Sequence, residues 1–506
     1  MSMKKWLYLT AALLVDACSK NDDGIDPPNG PNPNPDADVV VQNFMWQAMN
    51  LWYYWQGDVP DLSDDRFTTM EEYTAFLESE SEPAAFFENN LRFSEDRFSF
   101  YSDDYTELTQ GLAGISRSNG MEFGLVQFSG STNIFGYVRY ILPDSDASTK
   151  DISRGEIFTG VNGVTLTEDN YQDLLFGEDA TYTLNMADIE GTTITPNGKE
   201  VTLTKEENFQ EDPIFITEIF ENWEGSGRNI GYLMYNGFLN EFDEQLNDAF
   251  GFFNASGVTD LVLDLRYNSG GSVNTSRLLS SMIYGTNTSE VYVEQQWNDK
   301  IQEAFTRDDP NALKDYFASS IGNGSAINSL NLNQFYVLTT RSTASASELV
   351  INGLDPYIDV VKIGATTRGK NEFSLTMVDD PERDGAPFIY TPSRVNQINP
   401  ENSWAIQPLV GRNANSVGFT DYTSGFTPDI DLPEDLENLG VLGDPNEPLL
   451  ARALQEITGA GAKRSFAVQM PADAFTHSGM FKPMKDNMFL DKEINLPPSL
   501  QKPLMD

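Results

Sequence analysis

The chain has 506 residues, 40% of them hydrophobic, which is enough for two or three domains with sizeable cores. Its 77 acidic residues against 32 basic ones give a formal charge of −45, which repels phosphate backbones and excludes nucleic acid as an expected partner. One cysteine, Cys18, and one histidine, His477, exclude an intrachain disulfide and the Cys/His zinc sites. No calcium loop of the Asp-x-Asp-x-Asp-Gly kind is present, so neither metal nor cofactor is expected.

Lys4 and Lys5 precede a ten-residue apolar run, Trp6 to Val15, half of the ~20 residues that span a bilayer. The run reads as the core of a secretory signal. Ala17-Cys18 closes it in the manner of a bacterial lipoprotein box, although Asp16 departs from the usual small neutral residue. Residues 1–18 are expected to be a lipoprotein signal peptide with Cys18 as the lipidation site, and the membrane a partner through that anchor, the competing reading being an ordinary signal peptide with an incidental cysteine. Ser19-Lys20-Asn21-Asp22-Asp23 resembles the surface-export tether of Bacteroidetes lipoproteins. Residues 19–38, rich in Pro, Asn, Asp and Gly, read as a disordered linker. The expected location is the outer membrane of a Gram-negative bacterium, on its periplasmic or outer face.

Residues 39–110 read as a small helical segment. Val41, Phe44, Met45, Ala48, Leu51 and Trp52 recur at helical spacing, with further helices expected over 70–77 and 83–91. The aromatics of this segment read as core. A glycan-binding surface would be their alternative use.

Residues 111–207 read as β-rich. Strands are expected over 121–128, 135–142, 181–188 and 199–205, and Asn162-Gly163 marks a tight turn. From about 213 strands and helices alternate: strands over 230–235, 260–266, 335–340 and 360–364, helices over 242–253, 276–283, 346–358 and 448–457. The pattern implies α/β units with mainly parallel pairing across residues 208–460. Residues 461–506 carry Pro471, Pro483, Pro497 and Pro498 and read as an irregular tail.

Two strand ends carry the chemistry. Asp264-Leu265-Arg266-Tyr267-Asn268-Ser269-Gly270-Gly271 leads a strand into a Gly-Gly turn, where backbone N–H groups can approach a ligand closely. An ordinary strand-to-helix turn is the competing reading. Thr343-Ala344-Ser345-Ala346-Ser347-Glu348 places a serine where a helix begins. Locally, a helix cap is the commoner role for such a serine. His477, the one histidine, lies in the polar tail, so the base of any nucleophilic chemistry here would be a different residue. Lys370 follows Ser345 by 25 residues (370 − 345), just past a returning strand. A buried lysine has a depressed pKa and can serve as general base.

These motifs resemble the C-terminal processing (tail-specific) peptidases, Ser/Lys serine proteases carrying a PDZ domain. Thr343 to Glu348 is similar to the family's nucleophile motif, Gly364-Ala365-Thr366-Thr367-Arg368-Gly369-Lys370 to its lysine motif, and Asp264 to Gly271 to its oxyanion turn. The resemblance implies Ser345 as nucleophile, Lys370 as base, and N–H groups of Gly270 or Gly271 and of Ala346 as the oxyanion hole. Where many members have a polar residue four positions after the lysine, Ser374 stands here, the candidate for orienting Lys370. Glu372 nearby would instead raise the lysine pKa.

The resemblance further implies that 111–207 is a PDZ-like domain whose carboxylate-binding loop is Phe123-Gly124-Leu125. The implied fold is α/β: a crotonase/ClpP-like protease core with an inserted β-rich PDZ-like domain and a small N-terminal helical segment. The implied function is a serine endopeptidase that takes polypeptide tails through an acyl-enzyme. A non-catalytic peptide-binding lipoprotein of the same fold is the alternative.

Overall fold

The computed structural model describes residues 38–191, 193–307, 309–459, 472–482, 486–492, 494 and 496. The expected signal peptide, Cys18 and most of the linker lie outside the described residues.

The central sheet runs in the order Ile214–Phe220, Ile230–Tyr235, Asp260–Asp264, Gln334–Thr339, Asp359–Gly364, Ile430–Asp431. All neighbours pair in parallel except the first two strands, which are antiparallel. Its strands are continuous apolar runs because both faces are covered. Leu261 and Leu263 point to one core, and Val262 between them points to another. On the first face lie the helices Asp243–Ala255, Val273–Ile283 and Ala346–Leu354; on the second lies Pro448–Thr458. Glu447 caps that last helix by accepting the Leu450 N–H at 2.8 Å, and Gly459 ends it in a left-handed conformation (φ 69°).

A second sheet has the order Gly271–Ser272, Met488–Phe489, Glu372–Ser374, Leu409–Asn415, Val291–Trp297, Lys314–Tyr316. The alternation in the sequence suggested one wound core, and the expected crotonase/ClpP-like core has to be corrected on this point. Leu409–Asn415 pairs antiparallel with both Glu372–Ser374 and Val291–Trp297, so the second sheet does not continue the parallel winding. Polar positions such as Arg412, Asn413 and Asn415 hid that strand from a search for apolar runs.

The N-terminal helix Val40–Trp52 forms where its apolar spacing predicts. It ends where Tyr53 turns extended. Trp46, Trp52, Tyr53 and Trp55 are buried and join the same core as the helices of the central sheet. Burying each aromatic stabilises the fold by about 1.5–3 kcal/mol, so this segment is a structural buttress. The expected helix over 83–91 is only partly regular: Pro83–Phe86 is α-helical, and a wider π turn follows over Phe87–Leu91.

The β-rich unit has its own core, with Phe123, Phe158 and Leu184 at its centre. Its sheet runs Ala472–His477, Met121–Phe128, Ile134–Ile141, Ile157–Val161, Thr181–Glu190, Thr193–Thr204, all antiparallel. Asn162 and Gly163 both have positive φ, as the Asn-Gly turn requires. The outermost strand comes from the tail. The irregular tail expected from its prolines is therefore corrected: Ala472–His477 and Met488–Phe489 are strands, made regular by pairing partners far away in sequence.

Candidate active site

Three segments meet where the two sheets join. Asp264 to Gly271 leaves the central sheet and enters the second. Ser345 follows the strand Gln334–Thr339 and opens the helix Ala346–Leu354. Gly369-Lys370 crosses from Asp359–Gly364 to Glu372–Ser374.

Ser345 is fully buried and has φ 64°, ψ −115°, a strained conformation for a residue with a side chain. Its Oγ has no hydrogen-bond partner among the described residues. Its backbone is fixed by Glu348: Oε2 of the carboxylate accepts the Ser345 N–H at 2.8 Å and the Lys370 N–H at 2.9 Å. Oε1 accepts the Gly369 N–H at 2.7 Å and the Thr367 hydroxyl at 2.5 Å. Burial pushes the Glu348 carboxyl up to about 7, and the four donors oppose that shift. Sequence reasoning quoted Glu348 inside the motif but gave it no role. Its place three residues into the helix, a capping-box position, was the available signal.

Lys370 is 1% exposed. Burial pulls its ammonium down to about 8, against the pull of Glu372, Asp486, Asp96 and Glu348. Glu372 thus acts in the direction the sequence suggested, and it also pairs with Arg412 at 3.4 Å. The Lys370 Nζ lies 5.1 Å from the centre of the Phe98 ring. It donates to Asn487 Oδ1 at 3.5 Å, a long contact, and makes no hydrogen bond to Ser345 Oγ. The N-terminal segment therefore walls in the lysine. Tyr53 donates to Asp96 at 2.6 Å, and Arg97 donates to the Gly369 carbonyl at 2.6 Å.

Ser374 does not touch the lysine directly. Its Oγ donates to Asn487 Oδ1 at 2.8 Å and accepts from Gln407 Nε2 at 2.9 Å. Gln407, fully buried, escaped the sequence reading because nothing local marks it.

The two N–H groups of the Gly-Gly turn have different partners. The Gly270 N–H donates to Asn268 Oδ1 at 2.9 Å, within the turn itself. The Gly271 N–H points out of the turn and donates to the Asn487 carbonyl at 2.6 Å. Gly270 and Gly271 have φ 116° and 134°. A Cβ on Gly270 would lie 2.6 Å from Ser345 Cβ, so only glycine allows this approach. Asn268 ties the turn to the serine segment, its carbonyl accepting from Ala344 N at 3.1 Å and Ser347 Oγ at 3.0 Å. Ala346 sits in the first turn of the helix beside this junction.

Phe123, Gly124 and Leu125 lie in the middle of the strand Met121–Phe128, not in a loop, and they are buried. His477 is half-buried at the end of the strand Ala472–His477, and desolvation with Arg139 nearby holds its imidazole well below the ordinary value. Among the described residues no cluster of metal-ligating side chains occurs, and no helix is long and apolar enough to cross a membrane.

Residues 229–395 match peptidase family S41, and residues 40–100 match the peptidase S41 N-terminal domain. No curated protein matches the chain. A Bacteroides fragilis protein described as an S41 protease is similar in structure, with TM-score 0.62 and 26% identity over 85% of this chain and all of that one. The photosystem II D1 C-terminal processing protease is a more distant likeness: TM-score 0.47, 17% identity, 82% of this chain and 97% of the other. The likeness to an S41 protease overturns the crotonase/ClpP-like assignment of the core.

Proposed function

With an S41 peptidase region behind an S41 N-terminal domain as premise, we propose that the chain is a serine endopeptidase in which Ser345 is the nucleophile and Lys370 the general base. One observation carries this reading. A single buried carboxylate oxygen of Glu348 holds the backbones of both residues, at 2.8 and 2.9 Å, so the serine and the lysine share one rigid mount.

The chemistry follows from the groups present. The Lys370 ammonium, pulled down to about 8 by burial, has a neutral fraction able to take the Ser345 proton. Ser345 Oγ attacks the scissile carbonyl carbon. The Gly271 N–H, with that of Ala346, stabilises the tetrahedral oxyanion. Lys370 returns the proton to the leaving amine, and water then hydrolyses the acyl-enzyme. Ser374, held by Gln407, is the residue proposed to position Lys370.

Polypeptide is the substrate class, and the β-rich unit is PDZ-like, a surface for strand addition. Acylation of Cys18 and export to the outer membrane complete the reading, and they rest on the sequence alone. The test is fluorophosphonate labelling of the full chain with mass-spectrometric location of the label. Label on Ser345, absent from Ser345→Ala and lost with activity in Lys370→Ala, supports the peptidase. A folded protein that never labels and binds peptides without cutting them favours the non-catalytic alternative.

A further inference from the structure

The tail enters the candidate site twice. Ala472–His477 adds antiparallel to the outer edge of Met121–Phe128, in the register His477↔Gly124 to Ala472↔Phe128. This is strand addition at the edge where a polypeptide would dock. The contact continues beyond the strand. Ser478 Oγ donates to Glu122 at 2.6 Å, Lys482 Nζ pairs with Glu122 at 2.6 Å and Glu211 at 2.7 Å, and the Phe481 ring stacks on Phe176 with centroids 3.9 Å apart.

Further along, the tail runs through the catalytic junction. Asp486 pairs with Arg368 at 2.9 Å. Met488–Phe489 lies between Gly271–Ser272 and Glu372–Ser374, parallel to both. Leu490 N–H donates to the Ser374 carbonyl at 3.1 Å, and Asp491 accepts the Ser272 hydroxyl at 2.7 Å. At Asn487 the main chain reaches the Gly-Gly turn beside Ser345. Its carbonyl takes the Gly271 N–H at 2.6 Å, and this oxygen and Ser345 Oγ lie 2.4 and 3.0 Å from the one point a Gly270 Cβ would fill. The Asn487 side chain meanwhile holds Ser374 Oγ at 2.8 Å and Lys370 Nζ at 3.5 Å.

We propose that residues 472–482 and 486–492 act as a built-in pseudosubstrate: the first stretch occupies the docking edge, and the second fills the oxyanion site with the Asn487 carbonyl and diverts Lys370 from Ser345, holding the peptidase closed until the tail is displaced. The proposal rests on the peptidase reading of Ser345. It accounts for two features that the reading alone leaves open: the unpartnered Ser345 Oγ and the long contact of Lys370 with Asn487 in place of Ser345. The tail is an intramolecular competitor, so its strength is a closed-to-open ratio that a substitution in the tail shifts.

The experiment uses the full chain and two substitutions placed apart. Phe481→Ala removes the stack on Phe176, remote from the catalytic atoms. Asn487→Gly removes the amide between Lys370 and Ser374. The readouts are the rate of fluorophosphonate labelling at Ser345 and the cleavage of fluorescein-labelled casein. Each variant is expected to label and cleave about tenfold faster than the parent, and a synthetic peptide of residues 472–496 is expected to reverse the gain. Equal rates in the parent and both variants, or slower rates in folded variants, overturn the pseudosubstrate while leaving the peptidase standing. No label in any of the three overturns both. Loss of residues 488–506 from the parent, seen by intact mass and absent in Ser345→Ala, overturns the inhibitor in favour of a tail that is cut.

Discussion

The Glu348 carboxylate accepts the Lys370 N–H at 2.9 Å with the same oxygen that takes the Ser345 N–H at 2.8 Å. Four donors converge on this one side chain, and their geometry sets where the proposed nucleophile and base sit. Glu348→Gln replaces an acceptor with an NH2 group facing N–H donors, so at least one donor loses its partner. A shift of about 1 Å in the reacting groups costs about 10²-fold. The expected result is a fall in kcat on labelled casein of that order with KM little changed, measured by steady-state kinetics on protein of unchanged circular dichroism.

The pH profile follows from the same two groups. The proposed mechanism requires Lys370 neutral, and burial brings its ammonium to about 8. At pH 7 only about a tenth of the lysine is neutral, and the rate rises through pH 8. Glu348, pushed up to about 7, is an acceptor on both oxygens only when ionised, so its titration also favours alkaline pH. Stability changes sign between the two. From the ordinary carboxylate value to about 7 the folded chain binds more protons at Glu348, and stability falls as pH rises. From about 8 to the ordinary lysine value the unfolded chain binds more at Lys370, and stability rises. A profile of kcat/KM against pH checks the first point and urea midpoints across pH check the second. Lys370→Arg, charged throughout, is expected to be inactive at every pH.

The Gly-Gly turn offers a steric test. A methyl on Gly271 would lie 2.3 Å from the Phe238 carbonyl oxygen and would also have to adopt φ 134°. Gly271→Ala therefore moves the N–H proposed to face the oxyanion. Losing one such donor costs about 10²–10³-fold in kcat. Gly270→Ala is expected to be as harmful for a different reason, since its methyl would meet Ser345 Cβ at 2.6 Å. Labelling rates separate the two: Gly270→Ala blocks access to Ser345 itself, whereas Gly271→Ala leaves the hydroxyl in place.

The sequence made the local part of this site legible and hid the long-range part. Ser345 at a helix start and Lys370 after a returning strand could be read because the intervening helix and strand are strongly patterned. The Gly-Gly turn could be read as a donor site, but not which glycine donates, because the Asn268 side chain occupies the Gly270 N–H only once the turn has formed. Gln407 and Asn487 reach Ser374 across 33 and 113 residues, and no local pattern encodes such contacts. The tail was misread for a related reason. Its prolines argue against helix, and the strands Ala472–His477 and Met488–Phe489 exist only because distant edges supply their hydrogen bonds.

Behind the Gly-Gly turn lies a buried charge cluster whose removal should be felt as stability. Arg266, with no exposed surface, pairs with Asp264 at 2.9 Å, Glu447 at 2.6 Å and Glu434 at 3.2 Å. Tyr232 donates to Asp264 at 2.8 Å, and Glu447 also caps the helix Pro448–Thr458. The cluster thus joins the strand that feeds the Gly-Gly turn to the helix on the opposite face of the central sheet. Arg266→Met fills similar volume but leaves Asp264 and Glu447 buried without their cation. Stranding a partner in this way costs about 3–5 kcal/mol. The urea midpoint is expected to fall accordingly. Fluorophosphonate labelling should fall less than in Gly271→Ala, because the turn keeps its own tie through Asn268 to Ala344 and Ser347. Unchanged stability would mean that the carboxylates take up protons or water and that the cluster does not brace the turn.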